Sequence, residues 1–391
     1  MKFKSEVEFF QKIKKSFNRL TSDSKLILEG KGHLDHPEDL VILSDVEGAQ
    51  RALNSIVATA KNPKTITIKW DGYPALIFGH GPDGKFSIMD KHMFNRKDGA
   101  GRKVFSPEEF IAYDKARGVD RGDLNALIAN IWPGLEKASK GTKGYYWGDL
   151  LFGQALKDSG GLFKFKANPN GIAYTVDVDS DIGKLLAGKV AGIAVHQYLN
   201  SDAMSTDDAT SLDGTIGNLK NNSNVAIVPS AMPTTPSVKI DGSLVTQAKS
   251  AISKYGQSVK QLMTTAPQAR NTFNTLFTTF INKQIVSGDV KNLSDKFLDY
   301  FESRPMTPKM KEKLSNHLNN NKEGIIGLFT IWAALYQLKM NVVEQLATSA
   351  AESPVKGYLQ TGQQSQEGFV SQGLKFVDRM GFSRQNLSGQ R

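Results

Sequence analysis

The chain has no cysteine. Disulfides, thiolate nucleophiles, Cys-ligated zinc and iron–sulfur clusters are excluded together, and the composition fits a reducing cytoplasm. Long apolar runs are also missing. The longest, Ile325 to Leu338, is interrupted by Gly327, Thr330 and Gln337 and falls short of the roughly 20 residues that span a bilayer, so no membrane segment is expected. The opening MKFKSEVEFF carries Glu6 and Glu8 where a signal peptide needs an apolar stretch, which argues against secretion. Acidic residues are in deficit: Asp+Glu 39 against Lys+Arg 49 leaves a formal charge of +10. That balance favours a polyanionic partner such as nucleic acid. What is present is ordinary for a folded chain: 391 residues, 39% apolar and 23% charged, with Gly 35 and Pro 14. These values exclude collagen-like or wholly disordered chains and predict two or three domains.

Phe3, Val7, Phe10, Ile13, Phe17 and Leu20 recur at helical spacing, predicting an amphipathic helix that packs on the body. A helix from about Glu47 to Ala60 leads into the β-branched Thr65–Lys69, a strand signal. Further strands are expected at Ala75–Phe78 and Lys85–Met89 around a Gly81–Gly84 turn, then at Gly144–Phe152, Ile172–Val178 and Val190–Gln197. Between them Ser106, Pro107 and Glu109 mark a helix start. Residues 201–243 turn Ser-, Thr-, Asn- and Pro-rich and read as an exposed linker with one short strand at Val225–Val228. Residues 244–351 read as a separate helical module, clearest at Leu293–Phe301, Pro308–Leu318 and Glu323–Leu346. After Pro354 strand signals return at Gly368–Val370 and Leu374–Val377.

The chemistry centres on Lys69-Trp-Asp-Gly72, at the end of one strand and before another. A lysine nucleophile attacks only as the free amine, and a strand end over a cleft can hold it that way. Downstream, Lys91 follows a strand, the aromatic strand Tyr145-Tyr-Trp-Gly-Asp149 precedes apolar residues, and Glu367-Gly-Phe-Val370 and Leu374-Lys-Phe-Val-Asp-Arg379 close the chain. In this order the segments resemble motifs of the covalent nucleotidyltransferase superfamily of polynucleotide ligases and mRNA capping enzymes, whose first motif is Lys-x-Asp-Gly. Asp149 stands where that family carries Glu, and Val377 where it has a second lysine, with Arg379 as a substitute. Phe382-Ser383 is similar to the end of the phage RNA-ligase pattern, and the whole is similar to uncharacterised ligase-like proteins of tailed bacteriophages.

The resemblance implies an α+β nucleotidyltransferase-like fold of antiparallel sheets with helices. Residues 1–200 would form its first part, 201–243 a linker, 244–351 an inserted all-α module, and 352–391 a hairpin completing the domain. It implies ATP-dependent ligation through a lysyl–AMP intermediate on Lys69, with Mg²⁺ and a nucleic acid substrate, RNA favoured over DNA, in the cytoplasm. Lys375 and Glu367 would be catalytic. Asp71, Gly72, Lys91, Asp149 and Arg379 would bind nucleotide, and Glu367 and Asp149 would hold the metal. The alternatives are a DNA ligase of the same superfamily and a basic phage binding or structural protein that keeps the fold without turnover. A three-residue loop, Ser371–Gly373, would put Glu367 and Lys375 on one face of the hairpin; a two-residue turn would place them on opposite faces, and the site would fail.

Other constellations read more plainly. Glu323-Gly-Ile-Ile326 imitates the fourth motif but opens a helix that buries Ile325, Leu328, Trp332 and Leu335. His33 and His36 beside Pro37 read as turn and capping residues rather than metal ligands, and His196 as a core histidine. Gly79–Gly84 lacks the helix and Lys-Ser/Thr of a phosphate loop. Asn95–Lys103 is basic and Gly-rich, suited equally to phosphate contact or to a solvated loop.

Overall fold

The computed structural model describes residues 34–167, 172–232, 236–264, 267–358, 364 and 368–381. The predicted helix over Phe3–Leu20 and the Phe382-Ser383 pair lie outside these residues. After a short 3-10 turn at Pro37–Asp39, helix α1 (Leu40–Lys61) leads to strands β1 (Thr67–Ile68), β2 (Ala75–His80) and β3 (Phe86–Met89). Helices α2 (Lys91–Phe94), α3 (Pro107–Ala116) and α4 (Gly122–Ala138) follow. The α3 start is as expected: the Ser106 hydroxyl accepts from Glu109 N, and Glu109 Oε2 accepts from Phe105 N at 2.6 Å. Strands β4 (Gly144–Phe152), β5 (Leu162–Lys166) and β6 (Ala173–Asp177), helix α5 (Asp181–Leu186), and strands β7 (Ala191–Leu199), β8 (Thr210–Ser211) and β9 (Val225–Pro229) complete this half. Then come α6 (Gly242–Met263), α7 (Pro267–Ser287), α8 (Leu293–Ser303), α9 (Pro308–Asn320), α10 (Lys322–Ala351) and the short strands β10 (Val355–Tyr358), β11 (Phe369–Ser371) and β12 (Leu374–Phe376).

The architecture is mixed α+β. A six-stranded sheet runs β3-β2-β4-β7, with β8 and β9 sharing the far edge of β7. All its pairs are antiparallel except β7 with β9. One face buries Ile77, Tyr146, Ile193 and Ile227 with Phe110, Ile131 and Trp132 of α3 and α4. The other face packs Leu151, Phe152, Ala194 and Val228 against Phe165, Tyr174 and Val355 of the antiparallel sheet β10-β6-β5. Strand alternation explains the split, since Ile193 and Val195 serve one core and Ala194 the other.

Two expectations about domain organisation are corrected. Residues 201–243 are more than a linker, because Val225–Val228 are fully buried and β9 extends the main sheet in parallel with β7. The polar residues around it form the turns that carry the chain to that edge. Nor are the helices a separate module. α6 to α10 share one core with Leu53 and Ile56 of α1 and with Phe369, Leu374 and Phe376 of β11 and β12. Removing residues 244–351 would strip the apolar partners from α1 and from the β11–β12 hairpin.

α10 carries the buried Ile325, Leu328, Trp332 and Leu335 anticipated at its start. With 30 residues it is the one described helix long and apolar enough to cross a membrane, yet 61% of its most apolar window is buried within the protein, as in a core helix. At its centre the fully buried Lys339 donates to Glu38 Oε1 at 2.7 Å. Arg379 donates from Nη1 to both Asp39 oxygens at 2.9 Å and to Glu38 at 3.2 Å. Trp332 Nε1 also donates to Asp39, at 2.9 Å. Burial pushes the Glu38 carboxyl up, but Lys339 and Arg379 outweigh it and hold the group below the ordinary carboxylate range. Two acids and two bases so balance, which is the condition for burying them at all.

Candidate functional site

β1 is only two residues long, but it pairs with β11, which pairs with β12. Thr67 faces Val370 and Ile68 faces Phe369, while Lys69 N donates to Gly368 O at 3.0 Å. Lys375 N donates to Asp35 O at 2.9 Å. The C-terminal hairpin is therefore clamped between β1 and the segment before α1. Beside it opens a cavity of about 630 Å³ whose walls include Lys69, Trp70, Trp147, Asp149, Lys375 and Arg379.

The hairpin register differs from the three-residue expectation. Ser371 pairs with Leu374 and Val370 with Lys375, leaving the two-residue turn Gln372-Gly373 with φ of 53° and 69°. Two left-handed residues give the tight turn whose twist suits adjoining strands, at some strain for Gln372. Val370 and Lys375 thus share the cavity face, and Phe369 and Phe376 enter the helical core. The condition that would have paired Glu367 with Lys375 is not met, and Glu367 lies outside the described residues.

Of the remaining expected residues, Asp71, Gly72 and Lys91 are not on the cavity wall. Asp71 anchors the segment after Lys69: its N donates to the Tyr174 hydroxyl at 2.7 Å, and its Oδ2 accepts from Ile172 N at 3.2 Å. Gly72 lets that segment lie on β4, since a Cβ there would stand 2.6 Å from the Asp149 Cβ and 2.9 Å from Leu150 O. Gly72→Ala must push the Lys69 segment off β4, and it should lower stability by about 1–3 kcal/mol in a denaturant titration, as overpacking does. Lys91 reaches the site indirectly, with its Nζ 5.4 Å from the centroid of the Trp147 ring. Arg379 lines the wall but is tied to Asp39, Glu38 and Asn282.

Several wall residues were not foreseen. His196 lies in the cavity rather than in a core, with Nε2 3.5 Å from Asp149 Oδ2 and its ring 5.6 Å from that of Trp147. The cause is a β-bulge: Trp147 pairs with Gln197 and Gly148 with Val195, so His196 is the extra residue and is re-aimed. Nothing in the local sequence marks it. Asn282, Ile285 and Val286 of α7 also line the cavity. The indole N–H groups of Trp70 and Trp147 are buried without a partner among the described residues.

His36 is on the wall too, while His33 lies outside the described residues. Burial, reinforced by Arg379, Lys339 and Lys375 against the opposing charge of Glu38, pushes the His36 imidazole down to about 3. The folded protein therefore keeps it neutral where the unfolded chain, near 6.5, takes a proton. Stability should be full above pH 6.5 and fall by up to about 1.4 kcal/mol per pH unit below it. His36→Gln should flatten the slope between pH 6.5 and 5 in urea melts; an unchanged slope would assign it to other groups.

Chemically the cavity pairs cationic groups with aromatic and aliphatic walls. Lys69 and Lys375 suit phosphates, and Trp70, Trp147, Val370 and Ile285 suit a flat ring. Among the described residues no three metal-ligating side chains cluster. Magnesium needs less, since one or two carboxylates with phosphate and water oxygens hold it, and Asp149 is the one acidic side chain among the described wall residues. Comparison with curated proteins and with solved structures gives no match. Residues 31–391 match the model of DUF6267, a family of unknown function, and the chain belongs to that family.

Proposed function

We propose that the cavity binds ATP with Mg²⁺ and that the protein is a ligase-type nucleotidyltransferase acting on nucleic acid ends, RNA before DNA. The observation that carries this reading is the meeting of Lys69 and Lys375, from distant parts of the chain, on one wall system with Asp149. In the proposed reaction Lys69 Nζ, as the free amine, attacks the α-phosphorus. The N–P bond forms, the bond to the bridging oxygen breaks and pyrophosphate leaves. The adenylyl group passes to a 5′-phosphate, and a 3′-hydroxyl then displaces AMP.

Lys375 stabilises charge growing on the transferred phosphate, and Lys91 acts at longer range beside Trp147. Asp149 orients the ribose or water held by Mg²⁺, which when bound neutralises phosphate charge. Asp71 and Gly72 act by fixing where Lys69 sits. Arg379 acts through Asn282 and the wall. Incubation with α-labelled ATP and Mg²⁺ should leave label on the denatured chain, and added pyrophosphate should remove it. Binding without transfer is the second reading, favoured by Val377, an apolar wall residue at the position of the family's second lysine. It predicts ATP affinity with no retained label.

A further inference from the structure

We propose that the C-terminal end of α7 is the specificity wall of this cavity, with the Asn282 amide N–H₂ donating to the base of the bound nucleotide. This rests on the nucleotide reading above. Asn282, Ile285 and Val286 are spaced three and four apart, so they share one face of the helix, and all three line the cavity that holds Lys69 and Lys375.

The orientation of the Asn282 amide follows from its neighbour. Arg379 Nη2 lies 2.6 Å from it. A guanidinium only donates, so the atom it meets is the amide oxygen. Arg379 is itself held by both Asp39 oxygens and by Glu38. The buried network therefore fixes the amide, with its oxygen engaged and its two N–H donors left over. Those donors bond to no described residue.

The neighbours decide which part of a nucleotide the donors meet. Ile285 is buried and Val286 is 45% exposed, an apolar surface that suits a purine ring and would be poor company for a triphosphate. Lys69 and Lys375 supply the charge for the phosphates. Purines present ring-nitrogen acceptors, and guanine a carbonyl as well, for such a donor to reach. The helical layer is then part of the binding site.

The test compares binding of ATP and of inorganic tripolyphosphate, both with Mg²⁺, to the full chain and two variants. In Asn282→Asp the carboxylate still accepts from Arg379, so the buried network persists while the donor is lost. ATP affinity should fall at least tenfold and tripolyphosphate affinity by less, since it feels only the added charge. Asn282→Ala, which adds no charge, should weaken ATP and leave tripolyphosphate unchanged. If wild type binds ATP and both variants bind it equally well, or if the two ligands weaken in parallel, the wall is not read by the base. Failure of wild type to bind ATP overturns the nucleotide reading, and the wall with it.

Discussion

Lys69→Ala should abolish the label that wild type takes from α-labelled ATP. The expected effect is total because no other group on the wall can form the same phosphoramidate bond from that position. The fold should survive the change. Lys69 is held in place by a backbone bond, its N donating to Gly368 O at 3.0 Å, and alanine keeps that N–H. A Tm near wild type with no label is therefore the expected pair of results. Lys69→Arg should fail as well, because a guanidinium stays protonated at any workable pH and cannot attack. Retained label in Lys69→Ala would sink the nucleophile assignment.

Lys375→Ala should lower the rate of labelling by about 10²-fold, the range typical of removing one preorganised charge from a transferring group. The hairpin should stay in register, since Lys375 bonds to Asp35 through its backbone N and pairs with Val370 through the ladder. The loss should appear mainly in the chemical step, with ATP binding affected less, because the added charge on phosphate develops in the transition state. Lys375→Arg, which keeps the charge at a changed geometry, should recover part of the rate. A rate within twofold of wild type in Lys375→Ala would leave Lys69 without a second lysine in the reaction.

Much of the fold could be read from local signals. β4 runs from Gly144 to Phe152 as expected, because an aromatic and aliphatic run bounded by glycine is buried on both faces. α3 begins where Ser106, Pro107 and Glu109 say it should, and α10 buries its apolar stripe instead of presenting Glu323 as a motif. Lys69 and Lys375, singled out in the sequence by the segments Lys69–Gly72 and Leu374–Arg379, both line the cavity.

What could not be read depends on partners far along the chain. β9 looked like a short strand in a linker, and only its pairing with β7 makes it part of the main sheet. The bulge that turns His196 toward Asp149 arises from a register shift between two strands, which neither strand encodes alone. α4, which contains Pro133, gave no clear start signal: Arg121 caps it without a side-chain bond. The sequence left a two- and a three-residue turn open at Ser371–Gly373, and the left-handed Gln372, an uncommon conformation for glutamine, decides for the shorter one. Asn282 is an ordinary helix residue until Arg379, on a segment after the hairpin, orients it.

The central claim is that a nucleotide becomes covalently attached to Lys69, and peptide mass mapping tests it most directly. The full chain is incubated with ATP and Mg²⁺, denatured, digested, and each lysine-containing peptide is weighed. The account predicts the mass of one adenylyl group on the peptide containing Lys69 and on no other. An unmodified Lys69 peptide from a preparation that binds ATP, or the same mass on Lys91 or Lys375 instead, would contradict it.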